Sequence, residues 1–176
     1  MNFRKSTKNL NVNLTVRELV DVLKEKNLKI AVAESCTGGL IAKLITDIPG
    51  ASGVFECAIC AYSNTIKEEL LSVSRRTLNS FSAVSKETAM EMAANVRKLA
   101  KADIGVSTTG YAGPKTPQSK EIVGLVYIGI SDSTKTTYIC LNMSGEKPLD
   151  REHIRLKAAY NALTATLNMI KTGVVK

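Results

Sequence analysis

The sequence predicts an α/β fold: a three-layer α/β/α sandwich with a mixed, mostly parallel five-stranded sheet. Three observations carry this. Short apolar runs rich in β-branched residues alternate with segments whose apolar residues recur at helical spacing. Gly, Pro, Ser or Asn punctuate the boundaries between them. Late in the chain two strand-like runs are separated only by residues 131–135, which reads as a hairpin and places one antiparallel strand in an otherwise parallel sheet.

The elements follow in order. Residues 1–14 carry Arg4, Lys5 and Lys8 with no acidic group before Glu18 and no apolar stretch. They read as a flexible, solvated tail rather than a secretory signal. Residues 15–176 then form a single domain. Thr15 and Glu18 make a capping box, and Val16, Leu19, Val20, Val22 and Leu23 continue a helix to about Asn27. Residues 28–33 read as the first strand, 38–46 as a helix, and Pro49-Gly50 as a loop. Residues 54–62 are the second strand. Asn64 is the expected cap of a short helix to about Leu71, and 77–83 a connector. Ser85 caps a helix over 86–101. Residues 103–108, 122–130 and 136–143 are the remaining strands, with loops at 110–121 and 144–149. A last helix covers 150–170.

Composition narrows the function classes. A chain of 176 residues fits one domain, and its 44% hydrophobic content sustains a core. No apolar run reaches the ~18–20 residues that span a bilayer, so no membrane partner is expected. The net charge of +8 favours anionic partners, either phosphorylated metabolites or nucleic acid. The basic residues are scattered, however, and no aromatic RNA-binding motif, zinc-finger spacing or Trp accompanies them, which argues against nucleic acid. Cys57 and Cys60 have the CxxC spacing of a redox or metal pair. They lie within a strand-like run, where i and i+3 point to opposite faces, so buried reduced thiols of a cytoplasmic protein are expected. No metal and no cofactor is implied.

The chemistry concentrates at Ala33-Glu34-Ser35-Cys36-Thr37-Gly38-Gly39, where a strand turns into a helix. A helix starts with unpaired N–H groups and a positive dipole end. Gly38 and Gly39 carry no side chains to keep an anion or carbonyl oxygen away. The turn could cradle a phosphate or form an oxyanion hole beside a nucleophilic Ser35; an ordinary strand-to-helix connection is the plain alternative. A serine nucleophile needs a base. His153 is the only histidine and sits among charged residues on the last helix, which suits an exposed side chain better than a triad member. Lys67 falls in the first turn of the helix after Asn64, where the dipole and partial burial would disfavour its ammonium form. Tyr62 could relay the proton or orient the base. A solvated surface lysine is the competing reading for Lys67. Ser35, Tyr62 and Gly110 all lie at carboxyl ends of predicted strands, where ligands of open α/β sheets bind.

A set of short motifs occurs in a fixed order: Glu34 to Gly39; Asp47-Ile48-Pro49-Gly50-Ala51-Ser52; Tyr62-Ser63-Asn64 with Lys67; Ala83-Val84-Ser85; Thr109-Gly110-Tyr111-Ala112-Gly113-Pro114; Val123-Gly124. Together, over about residues 15–170, the chain resembles the CinA C-terminal-domain family, the nicotinamide mononucleotide deamidases. The resemblance implies an α/β/α fold with a mixed five-stranded sheet, and hydrolysis of nicotinamide mononucleotide to nicotinate mononucleotide and ammonia by a Ser/Lys amidohydrolase. It implies Ser35, Tyr62 and Lys67 as catalytic residues. Thr37, Gly38, Gly39, Asn64, Thr109, Gly110, Gly113, Arg151 and Arg155 would contact a phosphorylated nucleotide, with the two arginines near its phosphate. It also implies a homodimer. A non-catalytic, competence-associated partner-binding domain is the alternative from another class. Cys36 as nucleophile is a third, and the resemblance selects Ser35 over it. The chain departs from the family pattern at Lys115-Thr116-Pro117-Gln118, at Cys57-Ala58-Ile59-Cys60-Ala61, and where Gly145 is separated from Asp150-Arg151. These departures leave the substrate specificity of the 115–120 and 144–149 loops open.

Overall fold

In a computed structural model of the chain, which describes residues 7–116, 122–145 and 149–173, the alternating pattern closes into one sheet. Strands β1 (Ile30–Glu34), β2 (Phe55–Cys60), β3 (Ile104–Gly110), β4 (Leu125–Ser131) and β5 (Thr136–Asn142) lie in the order β2-β1-β3-β4-β5. β1 pairs in parallel with both β2 and β3, whereas β4 is antiparallel to β3 and β5. One strand of five therefore opposes the rest, as the late hairpin predicted.

Helices α1 (Thr7–Glu25), α2 (Leu40–Thr46) and α6 (Arg151–Lys171) cover one face. Val16, Leu19 and Leu23 of α1 and Ile154, Ala158 and Leu163 of α6 meet Ile30, Val32, Val106 and Ile128 of the sheet in the larger core. Helices α3 (Asn64–Glu69), α4 (Arg75–Phe81) and α5 (Lys86–Leu99) cover the other. That side is lined by small residues, and α5 lies close on it. A side chain at Gly105 would stand 2.0 Å from the Ala93 carbonyl oxygen. The Ser107 hydroxyl donates to the Ala89 carbonyl at 2.6 Å.

Several boundaries differ from the sequence reading. α1 begins at Thr7 instead of at the capping box, so residues 7–14 are helix and not tail. The reason is Val12, buried in the same core one turn before Val16. Residues 75–81 form a helix where a connector was expected; Ser74 caps it, and Glu91 accepts from the Ser74 N–H at 2.7 Å. The cap of α3 is Ser63, whose hydroxyl accepts from Ile66 N–H, and not Asn64. Cys57 is half-buried, and Cys60 and Cys140 are exposed, so the expectation of buried thiols holds only for Cys36. β2 is an edge strand whose alternate residues face solvent, which is why its cysteines are not enclosed. The loop segments expected at 117–121 and 146–148 lie outside the described residues.

Candidate active site

A cavity of about 260 Å³ opens at the carboxyl ends of β1, β2 and β3. Its floor comes from the turn after β1 and the helix after β2. Ser35 and Cys36 occupy that turn; Lys67 projects from α3. Lys67 is 1% exposed, and its Nζ lies 3.2 Å from Ser35 Oγ and 2.9 Å from the Ala61 carbonyl oxygen. No carboxylate pairs with it among the described residues. Burial lowers its pKa from 10.5 to about 8, since a charge taken from water without a counter-ion is disfavoured. Such an amine is partly neutral near physiological pH. In that form it donates to Ala61 and offers its lone pair to the Ser35 hydroxyl.

Cys36, one residue on, has the opposite character. Burial pushes its thiol up to about 12, so it remains protonated wherever Lys67 titrates. Of the two side chains in the turn, Ser35 Oγ is the one hydrogen-bonded to Lys67 Nζ.

The turn itself overturns one expectation. Its glycine N–H groups are not open to an anion. Gly39 and Ile41 donate to Glu34 Oε2 at 2.9 and 3.1 Å, and Ala42 donates to Glu34 Oε1 at 2.9 Å. Gly38 N–H is bonded to the Ser35 carbonyl and Leu40 N–H to that of Thr37. The helix start thus already holds an anion, supplied by the fully buried Glu34. Thr37 is buried as well, its hydroxyl 2.7 Å from that of Thr108. Thr37, Gly38 and Gly39 shape the turn but do not line the cavity.

The rim comes from elsewhere. Tyr62, Asn64, Thr109, Gly110, Gly113 and Arg151 line the cavity with Ser35 and Lys67. The Tyr62 hydroxyl accepts from Arg151 Nη2 at 3.1 Å, and Arg151 Nη1 donates to the Gly113 carbonyl at 2.6 Å. The Thr109 hydroxyl is engaged by the Ala83 carbonyl at 2.6 Å, so it supports the wall. Arg155 does not line the cavity; it bonds the Thr37 carbonyl oxygen. His153 is exposed and bonded to the cap residue Asp150, far from a triad role. Two contributors have roles that the sequence did not give. Lys115 lines the cavity where the chain departs from the family motif. Glu34 belongs to a motif, but its cap role needed the fold; the one signal was a carboxylate at a strand end directly before a glycine-rich helix start. Among the described residues no group of three or more His, Cys, Asp or Glu could hold a metal, and no helix is long and apolar enough to cross a membrane.

Fold and site together define an α/β/α domain that presents a buried Ser/Lys pair at its parallel strand ends. The model of the CinA C-terminal domain matches residues 13–170, and the chain belongs to that family. It is 49% identical over 145 residues to a protein named competence-damage inducible protein from Thermoanaerobacter pseudethanolicus, covering 82% of this chain and 34% of that one. It is 46% identical over 145 residues to a CinA-like protein from Kosmotoga olearia, with the same coverages. The chain thus spans about a third of the length of these relatives. Among solved structures, the competence/damage inducible protein CihA from Agrobacterium tumefaciens superposes with a TM-score of 0.84 at 30% identity, over 96% of this chain and 99% of that one. The competence damage-inducible protein A from Klebsiella pneumoniae superposes with a TM-score of 0.85 at 27% identity, over 91% and 97%.

Proposed function

We propose that this chain is an amidohydrolase that converts nicotinamide mononucleotide to nicotinate mononucleotide and ammonia. The observation that carries this is the buried Lys67 amine, 3.2 Å from Ser35 Oγ, with no carboxylate partner among the described residues and a lowered pKa. The Ser35 oxygen attacks the carboxamide carbon while Lys67 takes the hydroxyl proton. The carbon–nitrogen bond then breaks, and the Lys67 ammonium returns the proton to the departing amine, which leaves as ammonia. Water attacks the resulting ester with Lys67 again as base, releasing the carboxylate and Ser35. The N–H groups of Ser35, Gly38, Gly39 and Leu40 are engaged within the chain, so any oxyanion donor from the turn is left to Cys36 or Thr37 N–H.

The substrate's phosphate finds its counterpart at the rim. Arg151 and Lys115 line the cavity and form no ion pair among the described residues. Cations without carboxylates at a pocket mouth favour an anionic ligand. The nicotinamide itself follows from the family resemblance. Incubation with nicotinamide mononucleotide should release ammonia and nicotinate mononucleotide in equal amounts. Absence of both products with a folded protein refutes the reading and favours a partner-binding domain.

A further inference from the structure

α6 carries two arginines one turn apart, and they perform different tasks. Arg151 reaches the cavity. Arg155 turns toward the nucleophile turn from outside it: Nη2 and Nε both donate to the Thr37 carbonyl oxygen, at 2.7 and 3.2 Å. Among the described residues Arg155 has no carboxylate partner, so its fixed contact is this backbone oxygen. From beneath, the buried Glu34 carboxylate takes three N–H groups of the same turn and the helix after it. The segment between Ser35 and Ala42 is therefore held at a carbonyl by a cation and at its amides by an anion. Charged groups make the stronger hydrogen bonds to backbone.

Gly38 completes the arrangement. Its φ is +58°, and a side chain there would stand 3.3 Å from Arg155 Nη2. Glycine leaves room for both the left-handed backbone and the guanidinium. Arg155 is itself anchored, because Ile154, Ala158 and Ala159 beside it are buried in the core.

We propose that Arg155 is a positioning residue for Ser35, clamping the nucleophile turn together with Glu34, and is not a ligand of the substrate phosphate. The inference rests on Ser35 being the nucleophile. Its physical basis is that a nucleophile 3.2 Å from its base loses the contact if the turn drifts. A misplacement of about 1 Å can cost about 100-fold in rate.

Three measurements test the clamp: steady-state kinetics on nicotinamide mononucleotide, thermal unfolding, and amide hydrogen exchange over residues 35–42. In Arg155→Ala, kcat should fall at least about tenfold with KM within about twofold. The pH midpoint should not move, and exchange over 35–42 should quicken. Arg155→Lys, which retains one donor, should lie between it and the wild type, and serves if the alanine variant unfolds. A KM increase of tenfold or more with unchanged kcat makes Arg155 a substrate ligand and overturns the proposal. Unchanged kinetics and unchanged exchange overturn it too. If the wild-type protein releases no ammonia, the proposed function fails separately. Exchange over 35–42 then still decides whether the clamp exists.

Discussion

At the floor of the cavity, Lys67 is 1% exposed and Ser35 9%; at its rim, Tyr62 is 64% exposed. The floor comes from the segments that leave β1 and β2, the Ser35 turn and helix α3, and is held by buried partners: Glu34, Thr37 with Thr108, and Ala61. The rim is tied together by one exposed arginine. Arg151, at the start of α6, reaches Tyr62 after β2 and Gly113 after β3. The difference separates two tasks. A proton transfer needs a fixed, dehydrated pair, which burial supplies. A charged substituent needs an accessible, adaptable cation. Damage to the floor should therefore appear in kcat, and damage to the rim in KM.

The largest effect is expected at the floor. Ser35→Ala should lower turnover of nicotinamide mononucleotide by at least about 10³-fold, as the loss of a covalent nucleophile does. Cys36→Ala should retain kcat within about tenfold, since a thiol pushed up to about 12 stays protonated and gives no nucleophile. Both are read by ammonia release. An active Ser35→Ala with an inactive Cys36→Ala would move the chemistry to the thiol.

The base gives the second test. With Lys67 near 8, kcat/KM should rise as pH increases through about 8 and level off above it, because only the neutral amine accepts the serine proton. Lys67→Arg retains the charge but not a neutral base. Its turnover should drop by about 10²–10⁴-fold, and that limb of the profile should vanish. A Lys67→Arg enzyme with near-normal turnover would show that position 67 contributes only positive charge.

The same group links the floor to stability. Its pKa is about 8 in the folded protein and 10.5 in a free side chain, so the unfolded chain binds the proton more tightly. Below about 8 the buried ammonium opposes folding by roughly 3 kcal/mol relative to the neutral amine. That opposition fades between about 8 and 10.5 and is absent above. Measured by denaturant titration, the stability of the wild type minus that of Lys67→Met should thus rise with pH across this window. A flat difference would mean that the Lys67 charge is well solvated or compensated in the folded state.

The contrast also explains what could be read from the sequence. The five strands and the hairpin were legible because each depends on local pattern; Ser35 and Lys67 were named as a pair through the family resemblance, since local pattern alone fitted a solvated surface lysine at least equally well. The start of α1 at Thr7 was not legible, since Val12 joins the core only in the folded chain. The roles of Glu34 and Arg155 escaped for a related reason. A carboxylate that caps its own turn and an arginine that braces a carbonyl have the same sequence signature as ligand-binding groups. Only their partners distinguish them. Gly38 and Gly39 looked like an open cradle because the sequence does not reveal that another residue already fills it.

The smallest effects belong to the rim, and they test whether Tyr62 is part of it. Arg151→Ala removes a cavity-lining cation bonded to Tyr62 and Gly113. The KM for nicotinamide mononucleotide should rise about tenfold, in keeping with the ~1.5–3 kcal/mol of hydrogen bonds to charged groups. The corresponding riboside, lacking the phosphate, should respond little. Tyr62→Phe removes one hydroxyl from an exposed ring and, with it, one bond to Arg151 of 3.1 Å. Exposed hydrogen bonds contribute ~0.5–1.5 kcal/mol, so KM should rise about two- to tenfold while kcat holds. In the Arg151→Ala background the Tyr62→Phe change should lose most of that effect, because its partner is gone. If turnover by Tyr62→Phe instead fell by about two orders of magnitude with KM unchanged, the scale of a lost general acid–base group, the hydroxyl would lie on the proton path between Ser35 and Lys67. Tyr62 would then act with the floor despite its exposure, and the division between a buried reaction centre and an exposed recognition rim would have to be redrawn.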